Sequence, residues 1–469
     1  MKFLQKFDLK FRGLRNKGKS PLLRKLDLMH ESSLKQTVKR NYSDYISRLE
    51  AEYEARNHRP KYLPRSTSEK FKYNGSFHEA VGKVFLVAQF FAMMPVKGIS
   101  GPLPSELSFA WRNWRTLYCL LFILSTLTSI GFTSYKVFNG LITFNNIEPL
   151  IFRGCILLVC VNALMLAKKW PALMMYWYEV EQDLPQYQTQ VEKSRMAYTI
   201  HMVMFVGMML SLAEHLLSMI SAISYSNYCH RTDDPIRNFL TTINDEIFYV
   251  FNYSVPLAMW GKIQNVYSTF IWNYMDIFVM IISVGLAANF RQLNDNLLKF
   301  KGMHMPPTYW SERRIQYRNL CTVCEKLDNA ISLITMVSFS NNLYFICVQL
   351  LRSLNTMPTV THAVYFYFSL MFLIGRTLAV SLYSASVNDE SRRTLRYLRC
   401  VPKESWCPEV KRFTEEVNSD FVALTGMKFF NLTRKLVLSV AGTIVTYELV
   451  LIQFHEDTDL WDCDQSVYA

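Results

Sequence analysis

The 469-residue chain has little of what marks a secreted, disulfide-stapled or catalytic protein. Its first ten residues, Met1 to Lys10, contain no apolar signal core, so no cleaved signal peptide is expected. Its ten cysteines are scattered and do not form a disulfide framework. Cys119, Cys155, Cys160 and Cys347 fall in apolar runs and read as small packing residues. Cys321 and Cys324 make one CxxC with no second pair and no nearby His cluster. Structural zinc asks for four ligands, so neither metal nor cofactor is expected. There is no HExxH, no GxSxG, no Walker loop and no paired carboxylate motif of a membrane hydrolase, which argues against an enzyme. The last stretch, 455–469, holds no Lys or Arg at all.

What the chain does have is apolar length. Half its residues are apolar and 14% aromatic, yet the formal net charge is +13 and mean hydropathy is only +0.06. The charges sit in blocks between long apolar runs, the pattern of a membrane protein with charged loops. A helix needs about 20 apolar residues to cross the hydrocarbon core. Seven runs meet this: Thr116–Tyr135, Pro149–Ala167, Met196–Tyr225, Leu257–Ala288, Ala330–Leu351, Ala363–Val387 and Leu436–Phe454. The expected fold is all-α, with seven transmembrane helices. Ala80–Val96 is also apolar, but Lys83 interrupts it and Pro95 ends it. Residues 77–98 therefore read as an interfacial helix.

Basic residues set the orientation. Segments on one side of the seven spans hold 44 Lys and Arg; those on the other side hold 5. Leaving out the long first segment still leaves 21 against 5. The positive-inside rule puts the amino terminus in the cytoplasm and the carboxyl terminus outside. G-protein-coupled receptors have the opposite orientation. Residues 1–76, with 19 basic and 8 acidic side chains, read as a cytosolic tail near anionic lipid. No aromatic-interleaved platform in it suggests nucleic acid. Cys229 and Cys463 are the only cysteines assigned to the oxidising side, where a disulfide between them is chemically allowed. Asn252, in an Asn-Tyr-Ser sequon just before span four, falls on the outer side, where the sequon can be glycosylated.

Ionisable groups at membrane depth are costly and usually face a partner, a cavity or a pore. Glu214 and His215 lie in the outward half of span three. Trp272, Asn273 and Asp276 lie in span four, with Trp272 and Asp276 on one helix face. Asn341, Asn342, Tyr344 and Gln349 lie in span five. Tyr365 and Arg376 lie in span six, and Arg153 near the outer end of span two. Carboxylates, amides and aromatic plates around an enclosed cavity suit a sugar, which offers many hydroxyls and an apolar ring face. The same groups could instead satisfy one another between helices, Arg376 with a carboxylate for example.

The last span ends Thr446-Tyr447-Glu448-Leu449-Val450-Leu451-Ile452-Gln453-Phe454. With Trp272-Asn273-Tyr274-Met275-Asp276, Asn341–Phe345, Gly375-Arg376-Thr377 and Ala441–Val445, it resembles the insect gustatory receptors, and the Tyr447/Glu448 pair looks like their sugar-sensing branch. The resemblance runs from about Phe77 onward. It implies a sugar-gated, non-selective cation channel in the plasma membrane of gustatory neurons, as a homotetramer or a heteromer with other gustatory receptors. In that reading 116–387 forms a six-helix ligand-binding bundle, with Glu214, His215, Trp272, Asn273, Asp276, Asn342, Tyr365 and Arg153 toward the ligand. Residues 388–433 form a cytosolic anchor and 434–454 the pore-lining seventh helix, followed by the acidic outer tail 455–469. Thr446 and Tyr447 would line the pore, and Gln453 and Phe454 its gate. A non-channel receptor, a transporter or an obligate silent subunit is the alternative.

Overall fold

The computed structural model describes residues 75–140, 144–187, 189–229, 234–354, 357 and 359–454. The basic tail up to residue 74, the acidic tail 455–469 and Cys463 lie outside them. Cys229 and Phe454 are described by their backbone alone. The long helices are α2 (Trp114–Asn139), α3 (Phe144–Asp183), α4 (Gln190–Cys229), α7 (Val255–Lys299), α8 (Pro307–Ser353), α9 (Val360–Leu398) and α11 (Arg434–Phe454). The short ones are α1 (Phe77–Phe90), α5 (Pro235–Thr242), α6 (Asp245–Phe248) and α10 (Pro408–Ser419). Six of the long helices qualify as membrane spans on length and apolar composition. The 21-residue α11 is the seventh.

Several helices run well past their apolar runs. The 47 residues of α8 reach about 70 Å at 1.5 Å per residue, against a hydrocarbon core of about 30 Å. Its first 23 residues, 307–329, lie beyond the apolar stretch, on the basic side of the protein. Hydropathy falls at the membrane boundary; helix propensity does not, because Glu, Arg, Lys, Gln and Leu all favour helix. The boundary of the span and the boundary of the helix are therefore separate quantities.

At the centre stands α7. Every residue from Asn273 to Ala287 is buried, packed chiefly between α4, α8 and α9. By contrast Phe205, Leu212, Leu216 and Ile220 of α4 are exposed apolar side chains that suit lipid. The helix expected at the interface, α1, buries one face on the bundle. Phe77 stacks on Trp177 with ring centres 4.0 Å apart, and Phe85 approaches Trp170 at 5.0 Å. Lys83, Leu86, Val87 and Phe90 remain on its exposed side. Both oxygens of Glu181 accept the Phe77 amide at 3.1 Å, fixing where α1 starts. After α1 the chain turns through Ala92 and Met94 at positive φ, and the Gln89 amide closes that turn on the Met94 and Val96 carbonyls at 3.0 and 2.6 Å. Gly98, at φ +78°, lies so close to the Glu106 carbonyl that a Cβ would meet it at 2.0 Å.

On the cytosolic side α10 buries Val410, Phe413 and Val417 against the ends of α8 and α9. Arg314 of α8 holds Glu409 and Glu416 at 3.0 and 2.8 Å. A two-stranded hairpin, β1 (Thr425–Gly426) with β2 (Phe430–Asn431), then leads into α11. Its turn needs positive φ at Met427 and Lys428. The buried Asp328 of α8 takes the Thr425 amide at 2.6 Å and its hydroxyl at 2.9 Å. Arg434, the first residue of α11, meets Asp389 of α9 at 2.6 Å. The seventh helix is thus tied at its base to both neighbouring long helices.

Candidate functional site

Three helices bring a polar cluster into the middle of the bundle. Asp276 of α7 is 0% exposed and Arg376 of α9 is 7% exposed. Arg376 Nε lies 2.8 Å from Asp276 Oδ2. The same Asp276 oxygen accepts from Asn342 Nδ2 at 2.9 Å, and Oδ1 accepts from the Ser338 hydroxyl. Arg376 also donates to Asn273 Oδ1 and, at 3.2 Å, to Asn342 Oδ1. Its guanidinium lies over Trp272 at 4.6 Å and Phe372 at 5.4 Å. Two opposite charges in apolar surroundings persist only when paired and hydrogen-bonded, and both conditions hold here.

A second polar group adjoins it, toward the outer halves of α4, α8 and α9. Glu214 of α4, 7% exposed, accepts from the Ser369 hydroxyl at 3.1 Å. Ser369 in turn accepts from Gln349 Nε2 at 3.1 Å. Tyr365 is buried beside them, near the Ser218 and Ser369 hydroxyls. The aromatic wall is Trp272, with Phe345 at 5.2 Å and Phe152 at 5.6 Å. Trp272 Nε1 and Gln349 Oε1 are buried here with no hydrogen-bond partner among the described residues, and His215 Nε2 is likewise unpartnered on the side of Lys262. An indole nitrogen and an amide oxygen beside an aromatic plate offer bonds that a polyhydroxyl ligand can complete.

The structure gathers Trp272, Asn273, Asp276 and Asn342 in one cluster, with Glu214 and Tyr365 in the next. Arg153 is elsewhere. Its guanidinium bonds Thr133 of α2 and Glu246 of α6, pinning the outer loop segment to the top of α3. Asn252 is exposed in the segment before α7. Cys229 ends α4. On α11, Thr446 donates to the Gly442 carbonyl at 2.9 Å, and Tyr447 and Gln453 are exposed.

Ser338, Ser369 and Phe372 belong to these clusters but carry no individual sequence signal. Their spacing does. Ser338, Asn342, Phe345 and Gln349 fall at i, i+4, i+7 and i+11, as do Tyr365, Ser369, Phe372 and Arg376. Each set is one stripe of one helix.

The family model described as "Trehalose receptor" matches residues 29–463. The chain belongs to the trehalose receptor family. It is 68% identical, over the full length of both chains, to "Gustatory receptor for sugar taste 64f" of Drosophila melanogaster. It is 48% identical to "Gustatory receptor 5a for trehalose" of the same species, over 85% of this chain and 90% of the relative. In fold it is similar to the olfactory receptor OR5 of Machilis hrabei solved with eugenol. The TM-score is 0.59 at 14% identity, over 81% of this chain and 99% of that one. The trehalose receptor family member described here is therefore a multi-pass membrane protein with the insect chemoreceptor fold, akin to sugar-taste gustatory receptors. Its relatives are receptors, not enzymes.

Proposed function

We propose that this chain forms a sugar-gated, non-selective cation channel in the plasma membrane of gustatory neurons, working as a homotetramer or beside other gustatory receptors. The observation that carries the channel reading is the state of α11. Among the described residues it is anchored at its base and along one side, with Leu436 and Ile444 against the bundle. Leu438 is 76% exposed, Val445 59% and Tyr447 39%. In lipid the Thr443 and Thr446 hydroxyls are satisfied by their own helix carbonyls, whereas the exposed Tyr447 and Gln453 gain by facing water. Four such helices around an axis would put apolar faces on one another and polar residues toward ions.

Sugar enters from outside, onto Glu214, His215, Trp272 and Tyr365. The Asp276–Arg376 cluster with Asn273 and Asn342 forms the floor, because the Asp276 oxygens are already engaged. Trehalose is the first ligand to try, since one relative is named for it. Cytosolic Phe413–Gly426, with the extensions of α7 to α9, serves as the intersubunit anchor.

Expression in a cell without chemoreceptors, with trehalose and other sugars applied during recording, tests this reading. A sugar-evoked cation current from this chain alone supports it. Surface-located protein that conducts only with a second receptor points instead to an obligate subunit. No current in any pairing overturns it.

A further inference from the structure

Away from the sugar site, a cavity of about 180 Å³ opens on the cytosolic side, where the start of α4 meets the inner ends of α7 and α9. A single water needs roughly 10–15 Å³, so the space takes a sizeable group. Its lining divides by chemistry. Met196, Val284 and Ala287 are apolar and lie at the inner ends of spans three and four. Arg195, Arg291, Glu192 and Asp295 lie toward the cytosol.

The charges are balanced in number but not in pairing. Arg291 is engaged by Glu390 at 2.9 Å. Arg195 has no hydrogen-bonding or ionic side-chain partner among the described residues, and Asp295, though near Arg393 and Arg291, forms no direct ion pair with either. The Tyr187 phenol, also in the lining, is held above its ordinary range, first by burial and then by Glu181, Asp295 and Glu192. One wall of the cavity is therefore negative while Arg195 offers an open guanidinium. A purely anionic group would meet the carboxylates; a purely cationic one would meet Arg195.

The third observation is the face of α4 that leaves the cavity. Arg195, Tyr198, Met202 and Phe205 fall at i, i+3, i+7 and i+10, and all four are exposed. One charged position at headgroup depth, followed by three exposed apolar ones running into the bilayer, matches a phospholipid lying along the helix.

We propose that this cavity holds the headgroup of a zwitterionic phospholipid of the cytosolic leaflet. Its phosphate pairs with Arg195, its ammonium faces Asp295, and its acyl chains follow Tyr198, Met202 and Phe205. Arginine suits phosphate through its planar fork of donors. The site is separate from the sugar cluster and does not depend on the channel reading.

Full-length protein in detergent is titrated with dihexanoyl phosphatidylethanolamine, dihexanoyl phosphatidylglycerol and free O-phosphoethanolamine, following Tm and lipid-bound mass by native mass spectrometry. Saturable stabilisation by the ethanolamine lipid is expected, with Kd weakened about tenfold or more in Arg195→Ala and in Asp295→Asn. Both positions are exposed, so Tm without lipid should hold. If either variant unfolds, the wild-type comparison of the two lipids decides. Equal or tighter binding of the anionic lipid overturns the proposal, as does no saturable binding or equal binding by folded variants. If free O-phosphoethanolamine binds as tightly as the lipid, the ligand is a soluble zwitterion and the lipid assignment is wrong.

Discussion

Arg376 and Asp276 face each other 2.8 Å apart across α9 and α7, sandwiched between Trp272 and the side chains of α8. Removing one partner would leave a buried charge uncompensated, which typically costs about 3–5 kcal/mol. Asp276→Asn and Arg376→Gln should each lose most surface protein. The double substitution should recover more than the sum of the single losses allows. Surface labelling and Tm of all four forms make the cycle, and additive losses would show that the pair is not coupled.

Glu214 tests the ligand site with less risk to folding, since its hydrogen bond comes from a neutral hydroxyl and it is not in direct contact with Arg376. Glu214→Gln keeps the shape and removes the charge. A hydrogen bond to a charged group is worth about 1.5–3 kcal/mol, so half-maximal sugar concentration should rise roughly 10- to 150-fold. Wild-type sensitivity at equal surface level would remove Glu214 from the site.

Gln453 and Phe454 close α11 just before an acidic stretch. If they form the gate, Gln453→Ala and Phe454→Ala should alter basal current or ion selectivity per surface receptor, because hydrophobic constrictions gate by dewetting. An interfacial anchor would change expression alone. Unchanged basal and evoked currents in both variants count against the gate.

His78 gives a pH dependence with a definite sign. Burial lowers its affinity for protons below the ordinary value of 6.5, and the Gly101 carbonyl and Glu106 only partly offset this. Its Nε2 lies 3.1 Å from the Gly101 carbonyl. The folded state favours neutral imidazole, so its contribution is full above 6.5 and is lost as pH falls from there toward the lower folded value. Tm should drop between neutral pH and about pH 5, with a shallower drop in His78→Gln. Parallel curves for the two proteins would mean that His78 does not carry the effect.

The polar site is half legible in the sequence. Trp272, Asn273, Asp276 and Asn342 stand out because polar groups are expensive at membrane depth, and the structure gathers them. Arg153 stands out for the same reason, yet its partner is Glu246 at the outer edge. The cost of burial flags both kinds of residue alike. It carries no information on which partner relieves it.

The sequence by itself determined the seven spans, the side on which each loop lies and the receptor family. Transfer into lipid is close to additive along a run of residues, and the positive-inside bias acts loop by loop, so both are local quantities. Only the tertiary structure decided that Asp276 takes Arg376, 100 residues further on, that Asp328 and Asp389 hold the base of the seventh helix, and that α8 continues far into the cytosol. Those outcomes depend on how each helix is rotated and shifted against its neighbours. Rotation and shift are set by the packing of all the helices at once.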